Sequence, residues 1–296
     1  MKHILITGAG SYVGTSLETW LRQWPESYRV DTLDMIGEGW KDHSFRGYDA
    51  VFHVAGIVHR EDSKNDPAQA ELYDRVNHRL AVETAQKAKE AGVRQFLFMS
   101  SASVYGLTAP MGKTVTITKD TPLNPVDNYG RSKADAEKSL TELAGEGMKL
   151  AILRPPMIYG RGCRGNYQTM AKLAKKLPVF PWVDNRRSML YIDNLSEFVR
   201  LLIDDEAEGI FCPQNEEYVN TCDMVNLIAH AAGKNILMLH GFGWALKLLR
   251  PVTAMVDKAF GSLCYDFEIS AYPRPYCVKD LTQSILETEA KKAPLP

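Results

Sequence analysis

Short apolar runs alternate with amphipathic stretches along the first two thirds of the chain. The runs lack a strict alternation of apolar and polar residues, which favours strands that are buried on both faces. Between them, apolar residues recur at helical spacing, as Val13, Leu17 and Leu21 do. Strands that alternate with helices predict an α/β, doubly wound parallel sheet. The predicted strands are residues 3–7, 28–33, 40–42, 49–56, 95–101, 149–155 and 209–215, and the predicted helices are residues 12–23, 68–92, 129–144 and 195–203.

A glycine-rich segment, TGAGSYVG at residues 7–14, joins the first predicted strand to the first predicted helix. Such glycines let the backbone approach a diphosphate, whose charge the helix N-terminus stabilises. Asp34 follows Gly14 by twenty residues, where a carboxylate would bind a ribose 2′-hydroxyl and repel a 2′-phosphate. Each half alone could be an ordinary turn or a strand cap, but together they predict a Rossmann-type site for NAD rather than NADP. The predicted cofactor-binding residues here are Gly8, Gly10, Ser11, Tyr12, Val13, Gly14 and Asp34.

Tyr129 and Lys133 stand four residues apart in YGRSK, so on a helix they share one face. A free phenol has a pKa near ~10 and is a poor base at neutral pH. A cation about 4 Å away contributes roughly 4 kcal/mol at an effective dielectric of about 20, which equals about three pKa units. We therefore expect Lys133, helped by a positively charged nicotinamide ring, to bring Tyr129 close to working pH as a general base. The same spacing also occurs on many solvated helices.

Composition narrows the classes of function. The chain has 296 residues, a net charge of -1 and a pI ≈ 6.7, so no global field attracts nucleic acid or an anionic membrane. Its five cysteines are scattered without ligand spacing, which predicts reduced thiols, a cytoplasmic location and no bound metal. We expect no signal peptide and no transmembrane helix, because no run reaches about 18 apolar residues.

With MSSASVYG and YGRSK in view, the chain resembles the extended short-chain dehydrogenase/reductases, in the NAD-dependent nucleotide-sugar epimerase and dehydratase group to which UDP-galactose 4-epimerase belongs. The matching segments span residues 1–226. HVAG resembles the family's turn beside the cofactor ribose, RPPMIYG its segment beside the nicotinamide, and RSMLYIDNL the segment whose leading arginine holds the substrate diphosphate. The resemblance implies Ser101, Tyr129 and Lys133 as catalytic residues, Val54, Ala55, Gly56, Asn77, Tyr129, Lys133 and Pro155 as cofactor contacts, and Ser103, Asn166 and Arg187 as substrate contacts.

Two departures from the family pattern bear on these assignments. Ser11 occupies the position of the middle glycine in TGxxGxxG, so the turn must be slightly rearranged between Gly8 and Gly14. The family's later arginine, in an RxGD-like segment, has no clear counterpart, because the chain reads VDKAFGSLCYD there. This weakens the expectation of a UDP group but leaves the redox chemistry intact. Arg187 follows Arg186, and a solvated basic pair is the alternative to diphosphate binding.

The resemblance implies an NAD-dependent nucleotide-sugar epimerase that acts at carbon 4 of a UDP-hexose or UDP-N-acetylhexosamine through a 4-keto intermediate, in polysaccharide or sugar-nucleotide biosynthesis. The alternative is an NAD(P)H-dependent 4-ketoreductase of a nucleotide-linked or lipid-linked deoxysugar. A catalytically silent dinucleotide sensor would have no need of the serine, tyrosine and lysine. We expect residues 1–165 to form the NAD-binding domain, with residues 188–215 returning to it. Residues 166–187 and 216–296 would form a smaller substrate-binding lobe, and the family implies a homodimer through the two long helices of the sheet domain.

Residues 241–263 read GFGWALKLLRPVTAMVDKAFGSL, an apolar stretch interrupted by basic residues. Pro251 breaks any single helix, so two short helices packed on the substrate lobe are one interpretation. The other is a peripheral membrane surface with Trp244 and the basic residues at the interface. Such a surface would suit a lipid-linked sugar diphosphate or transfer of the product to a membrane-bound glycosyltransferase.

Overall fold

A computed structural model describes residues 1–58, 67–145, 147–241 and 255–290 of the chain. The strands are β1 (Lys2–Thr7), β2 (Tyr28–Leu33), β3 (Ala50–His53), β4 (Gln95–Met99), β5 (Thr114–Ile117), β6 (Lys149–Leu153), β7 (Met157–Tyr159), β8 (Val179–Pro181), β9 (Met189–Tyr191), β10 (Gly209–Phe211), β11 (Leu237–Leu239) and β12 (Ser262–Tyr265). The helices are α1 (Tyr12–Leu21), α2 (Pro67–Tyr73), α3 (Leu80–Glu90), α4 (Asn128–Ala144), α5 (Asn166–Lys176), α6 (Ile192–Asp204), α7 (Thr221–Ala231), α8 (Met255–Phe260), α9 (Phe267–Ser270) and α10 (Leu281–Glu289).

A six-stranded parallel sheet organises the molecule, in the strand order β10-β6-β4-β3-β1-β2. β1 lies between β2 and β3, with Ile4 opposite both Val30 and Ala50. The chain therefore moves to one side of β1 for β2 and crosses to the other side for β3. In open α/β sheets, ligands bind at the carboxyl ends of the strands where the order reverses in this way. The predicted doubly wound α/β fold is confirmed.

Both faces of the sheet are buried, which explains why its strands do not alternate between apolar and polar residues. Ile6 of β1 packs in one cluster with Leu17 of α1. Leu5, which points to the opposite face, packs with Ala85 of α3 and Ala136 of α4. Since all five residues are fully buried, every position of β1 in this region selects an apolar side chain.

Three local predictions differ from the structure. The strand predicted at residues 40–42 is wrong, because Gly39–Asp42 is a 3-10 turn whose apolar signal comes from one buried tryptophan, Trp40. The helix predicted over residues 68–92 is interrupted, since a π-helical turn, Asp74–Arg79, joins α2 to α3. Between the predicted strand at residues 95–101 and the predicted helix at residues 129–144, where no element is predicted, the structure has a 3-10 turn, Ala102–Tyr105, and also β5, which pairs with the distant β12.

The second half of the chain adds short parallel strand pairs, β7 with β9 and β8 with β11. β10 returns to the edge of the main sheet beside β6. Most of the stretch for which we predicted either packed helices or a membrane surface lies outside the described residues, which stop at Gly241 and resume at Met255. Across the described ranges, no helix is both long enough and apolar enough to cross a membrane.

Candidate active site

The glycine-rich turn connects β1 to α1 at the point where the strand order reverses. Gly8 has φ +104°, and a Cβ there would lie 2.8 Å from the backbone nitrogen of Ala55. The turn therefore packs directly on the end of β3 and needs glycine at this position. Gly10 has φ +75° and faces open space, so the backbone of the turn can approach a ligand.

Ser11 explains the departure from the family's glycine pattern. It is the N-cap of α1, with extended backbone angles, and its hydroxyl accepts a hydrogen bond from the Gly14 N–H at 3.2 Å. Serine is a preferred residue at an N-cap, so the substitution stabilises the start of the helix. Gly14 is needed in turn, because a Cβ there would lie 2.7 Å from the Ser11 hydroxyl. Tyr12 and Val13 are half-buried in the first turn of α1.

Asp34 comes directly after β2 and is exposed beside the glycine-rich turn. The N–H groups of Gly8 and Ala9 both donate to the carbonyl of Leu33, which places the turn next to this carboxylate. One oxygen of Asp34 accepts a hydrogen bond from the Ile36 N–H at 2.9 Å. The other oxygen is open to solvent and could accept a ribose hydroxyl.

Asn77 stabilises the segment after β3 that contains Val54, Ala55 and Gly56. It lies in the π-helical turn and is fully buried. Its Oδ1 accepts from the Ile57 N–H at 2.8 Å, and its Nδ2 donates to the Ile57 carbonyl at 3.0 Å. A Cβ on Gly56 would lie 2.9 Å from Asn77 Oδ1 and 3.4 Å from Lys133 Nζ, so this segment passes directly beside the lysine.

Ser101 and Tyr129 meet where α4 packs on the 3-10 turn after β4, here called the serine turn (residues 101–105). Asp127 caps α4 by accepting from the Gly130 N–H at 2.7 Å. A Cβ on Gly130 would lie 2.5 Å from the Ser103 carbonyl oxygen, so glycine allows the helix to approach the turn closely. The Ser101 hydroxyl donates to the Ser103 hydroxyl at 3.2 Å and also hydrogen-bonds with Tyr129.

The electrostatics of Tyr129 are those of a buried phenol. Burial raises the pKa of its phenol to about 12, and the hydrogen bond with Ser101 lowers this pKa only in part. The Lys133 Nζ donates to the Met99 carbonyl at 2.8 Å and lies 4.6 Å from the centre of the Phe98 ring. Without a ligand the pKa of the phenol is therefore far from neutral pH, and its lowering by Lys133 together with a nicotinamide ring stays a prediction. Burial lowers the pKa of Lys133 itself to about 8.

Pro155 follows β6 and is buried. Its carbonyl accepts from the Ala102 N–H at 3.0 Å, so the segment predicted to lie beside the nicotinamide contacts the serine turn. The structure thus brings together the predicted cofactor and catalytic residues at the carboxyl edge of β1, β3, β4 and β6.

The predicted substrate residues in the second half of the chain, Arg187 and Asn166, lie on other elements of the structure. Arg187 forms a backbone bridge with Val219, and its Nη1 donates to the Gly261 carbonyl at 3.0 Å. Burial lowers the pKa of its guanidinium, and within the described ranges it has no carboxylate partner. Asn166 is exposed at the first position of α5. Neither residue hydrogen-bonds to Ser101 or Tyr129 in the part of the chain that the structure describes.

Sequence reasoning missed a buried ion pair between Glu137 and Arg154. Glu137 lies one helical turn after Lys133 on the buried face of α4, and Arg154 immediately precedes Pro155. The available signal was a carboxylate, Glu137, at i+4 spacing from Lys133 on the helix that carries the candidate catalytic residues.

A model of the NAD dependent epimerase/dehydratase family matches residues 4–212. The chain belongs to this family. It is 31% identical to a UDP-glucose 4-epimerase of Vibrio cholerae over 290 residues, which cover 90% of this chain and 87% of that protein. It is 26% identical to an N-acetyl-alpha-D-glucosaminyl-diphospho-ditrans,octacis-undecaprenol 4-epimerase of Escherichia coli O157:H7 over 257 residues, or 80% of this chain and 75% of that protein. Its fold matches a solved UDP-glucuronic acid 4-epimerase of Bacillus cereus in complex with NAD, with a TM-score of 0.70 and 17% identity over 96% of both chains.

The predicted family, enzyme class and cofactor are confirmed: the protein is an NAD-dependent enzyme of the sugar epimerase type. The glycine-rich turn fits NAD on structural grounds. Its backbone is open to a ligand at Gly10, while the close packing at Gly8 leaves no room for a side chain. The exposed carboxylate of Asp34 lies beside the turn, as a preference for an unphosphorylated ribose requires.

Proposed function

We propose that the protein is a 4-epimerase of a UDP-hexose or a UDP-N-acetylhexosamine. The convergence of Ser101, Tyr129 and Lys133 beside the dinucleotide turn carries this proposal, because these groups suit the oxidation of a sugar hydroxyl. The Vibrio cholerae relative supports UDP-glucose as the first substrate to test.

Tyr129 is the proposed general base, and it takes the proton of the sugar 4-hydroxyl. When bound, NAD⁺ would supply the acceptor for the sugar hydride and a positive charge in the site. That charge is needed, since with a pKa of about 12 only about one phenol in 10⁵ is ionised at pH 7. Ser101 stabilises the negative charge on the sugar oxygen, and Lys133 binds the ribose of the cofactor.

The reaction is balanced without a second reactant. The sugar C4–H bond breaks and its hydride leaves, while the hydroxyl proton moves to the Tyr129 oxygen, which produces a 4-keto sugar. The keto sugar turns over in the site, the hydride returns to its opposite face, and Tyr129 gives the proton back. Val54, Ala55, Gly56, Asn77 and Pro155 shape the cofactor side of the site in this proposal.

Arg187 and Asn166 are the proposed contacts to the substrate diphosphate, with Ser103 near the sugar. The half-buried Arg187 guanidinium has no carboxylate partner among the described residues, which suits it to an anion, since binding supplies a counter-charge. UDP should therefore raise the melting temperature of the wild-type protein. The same concentration of UDP should give a smaller rise with Arg187→Ala, and an equal rise in both proteins would contradict the assignment.

A lipid-linked sugar diphosphate is a second candidate substrate, supported by the Escherichia coli relative. The β8–β11 pair exposes apolar side chains: Val179 and Leu237, which are opposite each other, are 40% and 62% exposed, and Leu177, just before β8, is 38% exposed, whereas Phe180 is buried. Three lysines lie beside these apolar residues. Lys175 and Lys176 directly precede Leu177, and the Lys234 ammonium hydrogen-bonds to the Lys175 carbonyl. Apolar side chains among lysines suit an anionic bilayer surface.

Vesicle co-sedimentation tests this second candidate. We expect the protein to bind anionic vesicles and not neutral ones, and we expect the double variant Val179→Asp, Leu237→Asp to remain in the supernatant. Ile210→Asp is the matched control, since Ile210 is 55% exposed on β10 and away from the lysines. Equal binding by the double variant and the control would contradict a role for these apolar side chains.

Product analysis tests the reaction. NMR of UDP-glucose and UDP-N-acetylglucosamine incubated with the purified protein should show the 4-epimer at constant NAD. Stoichiometric consumption of NADH with a 4-keto sugar, and no epimer from either UDP-sugar, would instead support the ketoreductase alternative.

A further inference from the structure

A buried ion pair lies directly behind the candidate catalytic residues. Arg154 Nη2 donates to Glu137 Oε2 at 2.6 Å, and Arg154 Nε lies 3.1 and 3.2 Å from the two carboxylate oxygens. The two side chains are only 9% and 5% exposed. Desolvation makes such a pair costly, and apolar residues of similar volume are often as stable or more so. A contribution to folding stability is therefore a weak explanation for the presence of this ion pair.

The neighbours of the pair indicate a more specific role. Glu137 Oε1 also accepts a hydrogen bond from the hydroxyl of Ser100, which directly precedes Ser101. Arg154 Nη1 donates to the Tyr105 hydroxyl at 2.9 Å, at the far end of the serine turn. The Arg154 carbonyl accepts from the Tyr265 hydroxyl at 2.6 Å, which connects the pair to β12. One ion pair thus holds α4, the end of β4, the serine turn and the segment after β6.

We propose that Glu137 and Arg154 are positioning residues that fix Ser101, Lys133 and Pro155 relative to one another, and that the Glu137 carboxylate keeps Lys133 protonated. Each candidate residue is next to the pair: Ser101 follows Ser100, Lys133 precedes Glu137 by one helical turn, and Pro155 follows Arg154. The inference that Glu137 keeps Lys133 protonated rests on the proposed function in one respect: it takes from it the role of Lys133 at the cofactor ribose.

The charges around Lys133 support the inference that Glu137 keeps this lysine protonated. On β4, Lys133 contacts the Met99 carbonyl and the Phe98 ring, and neither group carries a full charge. From β3, it faces His53, whose pKa is lowered to about 3 by burial and by Lys133, so that this imidazole is neutral. On α4 itself, Tyr129 is uncharged before ligands bind. Glu137 is the group that raises the pKa of Lys133 against the effect of burial.

Glu137→Gln tests the electrostatic part, because it keeps the shape of the side chain and removes its charge. An ammonium donates more strongly to a ribose hydroxyl than an amine, so NAD affinity should fall as the pH rises through the pKa of Lys133. We expect the midpoint of that fall to move to lower pH by roughly 0.3 unit or more, because an exposed i,i+4 charge pair contributes about 0.2–0.5 kcal/mol and burial strengthens the interaction. Calorimetric titration of NAD across the pH range measures the midpoint without any sugar substrate.

Arg154→Lys tests the positioning part, because it keeps the positive charge and loses the two-pronged contact with the carboxylate. The NAD midpoint should stay at the wild-type pH, whereas kcat should fall by about 10-fold or more as Ser101 and Pro155 move. The double variant Glu137→Gln, Arg154→Met leaves no unpaired charge and covers the case in which Glu137→Gln does not fold. Its pH midpoint for NAD binding should move to lower pH by less than that of Glu137→Gln, because the Arg154 charge that opposes the carboxylate is lost as well.

The electrostatic part is overturned if the pH midpoint of NAD binding in Glu137→Gln equals that of the wild type. If Glu137→Gln does not fold, a wild-type midpoint in the double variant overturns it. Wild-type kcat in Arg154→Lys would overturn the positioning part. These failures differ from a failure of the proposed function: a shifted midpoint in a protein that epimerises no UDP-sugar would refute the epimerase assignment and leave the pair as inferred.

Discussion

Tyr129→Phe is the most direct perturbation of the proposed base, because it removes one oxygen and keeps the ring. The Tyr129 side chain is buried, and its ring lies edge-on to Tyr73 with a centroid distance of 6.4 Å. Phenylalanine keeps this packing and loses the hydrogen bond with Ser101, which should lower the free energy of unfolding by about 0.5–1.5 kcal/mol. That loss corresponds to a few degrees in melting temperature for a chain of this size. Activity should fall much further, by ~100-fold or more, because the proton acceptor is gone.

The assay compares three measurements on the same preparations: the rate of UDP-sugar epimerisation, NAD binding and the melting temperature. We expect Tyr129→Phe to bind NAD and to melt within a few degrees of the wild type, so that the loss is confined to the chemistry. Tyr48→Phe is the control for the loss of a phenol oxygen outside the candidate site, where Tyr48 hydrogen-bonds to Asp31 at 2.8 Å and to His43 at 3.1 Å. If Tyr129→Phe keeps more than half of the wild-type rate, Tyr129 is not the base.

Two further predictions concern the cofactor. Asp34→Ala should narrow the preference for NAD over NADP, and tighter binding of NADP than of NAD by the wild-type protein in titration would contradict the role of this carboxylate. Gly8→Ala should weaken NAD binding strongly and lower the melting temperature, because its Cβ would lie 2.8 Å from the Ala55 nitrogen at φ +104°. Gly37→Ala is the control, since φ is +71° but the space is open, and it should cost only about 1–2 kcal/mol of stability. Equal losses of NAD affinity in both variants would show that the close packing at Gly8 is not needed.

The main sheet was predictable from sequence because its strands are buried on both faces and therefore read as continuous apolar runs. The pairing of β5 with β12 was not, because neither strand is strongly apolar on its own and the partners lie far apart in the chain. The helical spacing of Tyr129 and Lys133 correctly placed both on α4, where both are buried. Spacing could not show that the ammonium turns toward the Met99 carbonyl, since that acceptor belongs to β4.

The same limit explains why the Glu137–Arg154 pair escaped sequence reasoning. A glutamate on a helix and an arginine at a strand end are ordinary surface residues in most proteins. Only the packing of α4 against the end of β6 removes both from water and makes each the partner of the other. Short-range patterns identify which residues share a face, but the partner of a buried charge is decided by the tertiary fold.

The buried Arg154 and the half-buried Arg187 show the difference between an arginine that positions other residues and one that is available to bind an anion. Arg154 binds a carboxylate through its Nε and Nη2, so its charge is already satisfied and an anion would gain little there. Within the described ranges the Arg187 guanidinium has one backbone carbonyl as its partner, and burial lowers its pKa. A half-buried charge without a counter-ion is unfavourable in the free protein, and a bound diphosphate would relieve that cost. Of these two arginines, the chain therefore leaves Arg187 available for a negatively charged substrate.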